Sequence, residues 1–405
     1  MAMLRLAAPL GASGDAEVRV AAVDHGLRAA SATEAEFVST AARALSLPHT
    51  ILRWTGDKPA SGLQSAARTA RYLLLIEHAA AIGADAIVTA HTADDQAETV
   101  FMRLKRGSGP RGLAGMAEDS LIAAGAGEPV RLLRPFLAVR RRALRGTLSQ
   151  NRADFVEDPS NNDPAFERVR VRALLERLEA SGDLTADALI ATADASRIVA
   201  CEHARAEEKK FQECGGAFDA HGGAALFVHL AASEFSGLAA RLIHAVTGAD
   251  YGPPEDRAEA ALQTALAGHD ATIGGAILFV SDGRLRICRE PAAILGRAGV
   301  APIAPVILAP REAILWDNRF IVRNNTGAPA VLRPLGADAG RLADSVAEIR
   351  SLQASPSLWN ERNLAAFPGT EGDFEALAAE RFYQQVNRFR WNYGFVNRGR
   401  GAGLP

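Results

Sequence analysis

The sequence predicts an α/β protein: a doubly wound parallel sheet, then a helical connector, then a smaller α+β region. Strand and helix signals alternate through roughly the first 160 residues, the pattern of a parallel sheet covered by helices. A short apolar run, Ala86-Ile87-Val88, ends in a polar cluster that opens an amphipathic segment, and open α/β sheets carry their chemistry at such strand ends. Further along, Ser281-Asp282-Gly283-Arg284 separates two β-rich runs, a strong hairpin signal.

Residues 1–10 read as a helix and 18–23 as a strand. A helix over 33–45, a strand over 49–54 and a long helix over 63–82 follow. Residues 86–89 form the next strand and 94–105 the next helix, followed by a strand at 131–137 and a helix at 139–149. The chain divides into residues 1–165, a charged helical connector over 166–215, a unit over 216–300 holding the hairpin, and a β-rich region with a Gly/Arg tail over 301–405. The tail from Asn397 is expected to be disordered.

Composition is that of a globular protein, 48% hydrophobic and 23% charged, with a formal net charge of −2. That balance hides a basic zone: Arg103 to Arg152 holds eleven Arg or Lys against three acids. One basic zone on a near-neutral chain suits a polyanionic partner. Cys201, Cys214 and Cys288 are far apart with no CxxC pair, which argues against zinc ribbons, iron–sulfur sites and thioredoxin-like motifs and points to a reducing, cytoplasmic compartment. No run approaches the length of a membrane span, so no membrane partner is expected.

Chemistry concentrates in Thr89 to Thr99. His91, Asp94, Asp95 and Glu98 can each bind a proton or a cation, and the three acids share one helical face. Gly26 lets the chain turn after the first predicted strand, where the backbone of Val23, Asp24 and His25 reaches the sheet edge; an ordinary strand-to-loop turn is at least as good a reading. Arg68 and Arg71 lie three apart on a helix and suit a phosphate, with a surface arginine pair an equal alternative. In Met102 to Met116, Arg103, Lys105, Arg106 and Arg111 are interleaved with glycines, a composition that fits a phosphodiester backbone. Arg168, Arg170 and Arg172 alternate and so cannot share one helical face, which predicts that some are paired internally.

Taken in order, Asp24-His25-Gly26-Leu27-Arg28, Ala67-Arg68 with Arg71-Tyr72, and His91 to Thr99 resemble the bacterial tRNA(Ile)-lysidine synthetases. So do Arg106-Gly107-Ser108-Gly109, Gly112 to Met116, Arg134-Pro135-Phe136-Leu137 and Asp158-Pro159-Ser160-Asn161. These enzymes are PP-loop proteins, or N-type ATP pyrophosphatases, with an adenine nucleotide α-hydrolase-like fold. The resemblance runs from about Val18 to Arg172, with Arg289-Glu290-Pro291 similar to the family's smaller domain. It implies that ATP adenylates the C2 oxygen of the wobble cytidine of a CAU anticodon and that the amine of free L-lysine then displaces AMP. Arg71, Asp95 and Glu98 take the catalytic roles. Val23, Asp24, His25 and His91 line the nucleotide pocket, Asp94 and Asp95 hold Mg2+, and Arg103, Lys105, Arg106 and Arg111 meet tRNA, with the helix at 139–145 nearby. Residues 1–165 become the catalytic domain and 216–300 a tRNA-binding domain. The expected partners are tRNA(Ile), free lysine and, as an alternative to a monomer, a second copy of the chain.

One departure stands out. The family opens with a strand and Ser-Gly-Gly-x-Asp-Ser, and no Ser-Gly-Gly occurs here; Met1 to Leu6 resembles the helix after that loop. Burying five apolar side chains of a central strand contributes roughly 7–15 kcal/mol, comparable to the roughly 5–15 kcal/mol net stability of a domain. The reading therefore expects a first strand missing from this sequence and a native start upstream of Met1. A truncated, non-catalytic tRNA-binding remnant and another PP-loop tRNA-modifying enzyme are the alternatives.

Overall fold

The computed structural model describes residues 1–405 except 28–29, 56–57, 60–61, 124–129, 156–162, 230, 250–251, 300, 344, 362, 371–373, 388–393 and 396–405. Arg28, the Asp158-Pro159-Ser160-Asn161 cluster and the tail from Asn397 lie outside the described residues. The chain divides into two compact units, one mainly Met1–Ile122 with Pro129–Ala200, the other mainly Cys201–Phe389.

The first unit opens with α1 (Ala2–Ser13), β1 (Val20–Asp24), α2 (Ala30–Ala44), β2 (His49–Arg53), α3 (Leu63–Ala81), β3 (Ala86–Val88) and α4 (Ala93–Lys105). It continues with α5 (Pro110–Leu113), β4 (Asp119–Ala123), β5 (Val130–Leu133), α6 (Arg141–Gln150), α7 (Glu167–Ser181) and the start of α8 (Ala186–Glu213). The predicted alternation is present. β1 and β2 pair in parallel, Val20 opposite His49 through Asp24 opposite Arg53. β3 and β5 also pair in parallel, Ala86 opposite Arg131 and Val88 opposite Leu133. Among the described residues these are two separate sheets, where the sequence predicted one. β4 was not anticipated. It is a short strand antiparallel to β5, Asp119 opposite Leu133, so this part of the sheet is mixed. β5 stops at Leu133, short of the predicted Leu137, because Arg134 turns inward to Ala117 O and Pro135 has no N–H to donate.

α4 has every local reason to be a helix. Thr92 caps it, Asp94 and Asp95 fill its first turn, and Arg103 and Lys105 its last, matching the macrodipole at both ends. Ala97 and Val100 bury against Ala186, Leu189 and Ala193 of α8, with Leu175 of α7 packed alongside. Its polar face is left for the site. α1 packs through Leu4 on Ala42 and Leu47, and through Ala2 on Leu148 of α6.

The second unit contains the rest of α8, then β6 (Ala217–Phe218), β7 (Ala224–Leu226), α9 (Ser236–Thr247), α10 (Glu255–Leu266), β8 (Ala271–Ile273), β9 (Ala276–Ser281) and β10 (Arg284–Arg289). These strands form an antiparallel sheet in the order β6-β7-β10-β9-β8. The Asp-Gly hairpin is present: Asp282 and Gly283 both take positive φ, 53° and 70°, as a type I′ turn requires. After α11 (Pro291–Leu295) come β11 (Val306–Leu308), β12 (Ala313–Trp316), β13 (Phe320–Arg323), β14 (Ala330–Pro334), α12 (Val346–Gln353), β15 (Pro356–Asn360), β16 (Asn363–Ala366), β17 (Phe374–Ala376) and α13 (Ala378–Asn387). They make two small sheets, β11-β14-β15-β16 and β12-β13-β17. Arg289 forms a two-pronged ion pair with Asp317, Nε–Oδ2 3.0 Å and Nη2–Oδ1 3.2 Å, so it supports this β-rich region. No helix of the described residues is long and apolar enough to cross a membrane.

Candidate active site

The site is built on the first two turns of α4. Thr92 and Asp95 form a reciprocal capping box. Thr92 N–H donates to Asp95 Oδ2 at 2.8 Å, the Thr92 hydroxyl donates to the same oxygen at 2.7 Å, and Asp95 N–H returns to Thr92 Oγ1 at 3.4 Å. Burial pushes the Asp95 carboxyl up, but the Thr92 hydrogen bonds with Arg168 and Arg141 outweigh it and hold it below the usual range. One turn on, Glu98 is 2% exposed and accepts from three guanidinium groups: Arg168 Nε at 2.6 Å, Arg172 Nε at 2.7 Å and Arg141 Nη2 at 3.4 Å. Arg141 and Arg168 also reach Asp95 Oδ1, each at 3.3 Å. Arg168 and Arg172 are four apart on α7 and so face α4 together, while Arg170 turns away to the carbonyls of Pro164 and Ala165. The alternating triplet is thus paired internally, as its spacing predicted.

Asp94 stands apart from its neighbours. Its Oδ2 accepts the Arg141 N–H at 2.6 Å and its Oδ1 the Arg140 Nε at 3.2 Å. Oδ2 caps α6 and Oδ1 pairs with the Arg140 guanidinium, so both oxygens are engaged and Asp94 is a poor fit to magnesium. Asp95 Oδ1 keeps acceptor capacity beyond two long contacts and fits better. Among the described residues no three His, Cys, Asp or Glu side chains gather around a metal position. Magnesium held mainly by phosphates and water needs only one or two carboxylates.

His91 precedes the cap. Its Nδ1 lies 2.9 Å from Thr89 Oγ1. Burial lowers its pKa to about 4, helped by Arg134, Arg68 and Arg168 against an opposing Asp95. A neutral imidazole at pH 7 accepts or donates without adding charge. On the first strand, the Asp24 carboxylate accepts from Gly26 N–H at 2.9 Å and from the Ser31 hydroxyl, which keeps it ionised and shapes the turn. Arg71 Nη2 lies 3.2 Å from His25 Nε2, which brings together two residues predicted for one nucleotide site from 46 positions apart. Val23 sits beside them on β1, opposite Leu52.

The basic loop is less uniform than its sequence. Arg103 Nη1 donates to the carbonyls of Gly112 at 2.7 Å and Gly115 at 3.0 Å, so it holds the loop from within. Lys105 and Arg106 are exposed and share Glu167 at 3.3 and 2.8 Å, and Arg111 is exposed on α5. Arg140, which precedes α6, and Arg141 at its start are drawn into the carboxylate cluster, while Arg145, farther along the helix predicted to lie near tRNA, sits over the Phe155 ring at 5.8 Å. Sequence reasoning missed Gln96. It is buried, donating Nε2–H to Met116 O at 2.9 Å and accepting Met116 N–H on Oε1 at 2.8 Å. A glutamine on the apolar side of an otherwise amphipathic helix was the available signal.

A PP-loop domain family model matches residues 1–178, so fold and site define a PP-loop, ATP-binding class. The tRNA(Ile)-lysidine synthase of Ruegeria pomeroyi is 34% identical over 383 residues, 91% of this chain and 85% of that protein. That of Methylobacterium nodulans is 41% identical over 296 residues, 68% of this chain and 83% of that protein. That of Rhodopseudomonas palustris is 52% identical over 163 residues, 40% of this chain and 46% of the relative, somewhat under half its length. The chain belongs to the tRNA(Ile)-lysidine synthase family.

Proposed function

We propose that this chain ligates lysine to C2 of the wobble cytidine of a CAU-anticodon tRNA(Ile), through an adenylated base. The observation that carries the reading is the pair Asp95 and Glu98 on one face of α4, ringed by arginines. Carboxylates there receive a cationic substrate, and guanidinium groups receive phosphate.

In the first step the cytidine C2 oxygen attacks the α-phosphate of ATP and pyrophosphate leaves. Arg71 meets the phosphate where charge builds. The loop bearing Val23, Asp24 and His25, with neutral His91, lines the adenosine. Asp95 would hold a magnesium ion, which would supply charge neutralisation for the phosphates. In the second step the lysine amine attacks C2 and AMP leaves. Glu98 orients the ammonium and takes its proton. Its present guanidinium partners must yield a position first, and Arg141, at 3.4 Å, is the most weakly held. Lys105, Arg106 and Arg111 meet the tRNA backbone. The anticodon base must be unstacked to react.

Single-turnover assays following adenylated tRNA and lysidine separately test the reading. Asp95→Asn should stop pyrophosphate release, and Glu98→Gln should slow lysine transfer by about 10²–10⁴ while adenylated tRNA still forms. Near-normal rates in both variants would sink the assignment. Tight tRNA binding by the wild-type chain with no ATP–pyrophosphate exchange would favour a non-catalytic tRNA-binding protein instead.

A further inference from the structure

We propose that Arg140 is a positioning residue that sets the arginine ring on Glu98, by clasping α7 and α8 to the N-terminus of α4. The role rests on the lysidine reading for its catalytic meaning, but its geometry stands alone. Arg140 is 16% exposed and contacts acids from three helices. Its Nε meets Asp94 of α4 at 3.2 Å. Nη1 and Nη2 hold both oxygens of Glu179 on α7 at 3.0–3.1 Å, and Nη1 reaches Asp187 of α8 at 3.2 Å. The backbone on either side is fixed too: Ala93 N–H donates to Val139 O at 3.0 Å, and Arg141 N–H donates to Asp94.

The helical arithmetic gives this clasp its consequence. Arg168, Arg172 and Glu179 are spaced by four and seven, so they share one face of α7. Arg140 grips that face at its C-terminal end, and Glu98 grips it near its N-terminal end through Arg168 and Arg172. Glu167 on Lys105 and Arg106 and the packing of Leu175 tie the rest of α7 to its neighbours, and Arg140 supplies the polar attachment at its C-terminal end, which sets the rotation and height of the Arg168 and Arg172 face on α4. A catalytic carboxylate misplaced by an ångström costs large factors in rate. Asp94 then serves the clasp by orienting Arg140 and capping α6.

Arginine side-chain NMR on the full chain tests this. Arg168 and Arg172 both reach Glu98 through Nε–H, so those protons report the ring directly. In Arg140→Gln their exchange should quicken by about tenfold or more, while the remote Arg319 Nε–H, bonded to Asp317 at 2.7 Å, keeps its protection. Arg140→Lys, which retains the charge without the fork, should recover part of the protection. Arg140→Gln should also slow single-turnover lysine transfer by about 10–100-fold, with adenylation less affected. Unchanged protection at Arg168 and Arg172, an equal loss at Arg319, or an even slowing of both steps would overturn the proposal. If the wild type makes neither adenylated tRNA nor lysidine, the lysidine reading fails and the exchange rates still decide the clasp.

Discussion

Neutral His91 gives the site its clearest dependence on pH. Burial lowers its pKa to about 4 from 6.5, so between those values the unfolded chain binds a proton that the folded chain refuses. Stability therefore falls as pH drops from about 6.5 to about 4, by roughly 3 kcal/mol, and this contribution is flat below that window. The depressed Asp95 carboxyl acts lower: its stabilisation is present above the unfolded value of 3.8 and is lost as pH falls through its folded pKa. Urea unfolding at stepped pH should show the upper slope in the wild type and a reduced one in His91→Gln; equal slopes would refute it. At this scale the sequence was readable where partners are local. The i, i+3 spacing of Asp95 and Glu98 placed them on one face. The arginines that ring Glu98 lie 43, 70 and 74 positions away, and no periodicity in a single chain reports such a pairing.

Among the elements, the loop between α4 and β4 divides into an inner and an outer set of cations. Arg103 is the inner one, bonded to two loop carbonyls. Removing the charges of Lys105, Arg106 and Arg111 together should weaken tRNA binding and reduce its salt slope by about 0.7 for each phosphate no longer neutralised. Arg103→Ala should instead lower thermal stability, which a melting scan would separate from a binding effect. Gly115 shows why the loop is glycine-rich: its φ is +70° and a Cβ there would sit 2.7 Å from the Gln96 amide. Gly115→Ala should cost about 1–3 kcal/mol, and a loss below about 0.5 kcal/mol would contradict the close approach. Helices were easier to read than strands because caps and periodicity are local. β4 and the end of β5 depend on which distant strand or carbonyl is available, so their limits were missed.

Across the whole molecule, two units with separate cores hold the described residues. The second contains Arg241, fully buried, which donates to the carbonyls of Ala204 and Phe382, pairs with Glu207 at 3.3 Å and lies over the Phe382 ring at 4.2 Å. Arg241→Ala leaves a cavity in the core and takes a buried donor from two carbonyls and an ion-pair partner from Glu207, and should destabilise this unit by about 3–5 kcal/mol. Trp316 and Trp359 report it by fluorescence; an unchanged urea midpoint would refute it. The sequence showed the Asp-Gly hairpin of this unit because its turn is written in two residues. The two later sheets were only partly legible, since β14 pairs with β11 and β15, and β13 with β12 and β17, across intervening segments.

The Gln96 side chain closes on Met116 as one peptide group closes on another across a sheet, with one bond given and one received. Such a latch is exact in length and in proton count. Asparagine is a methylene short. Glutamate has the length but, when ionised, turns the donated bond into a repulsion between two oxygens inside the protein, at a cost of about 1–3 kcal/mol. Protonated, it donates again. One substituted atom, Gln96→Glu, would therefore make this latch strong in acid and weak at neutral pH.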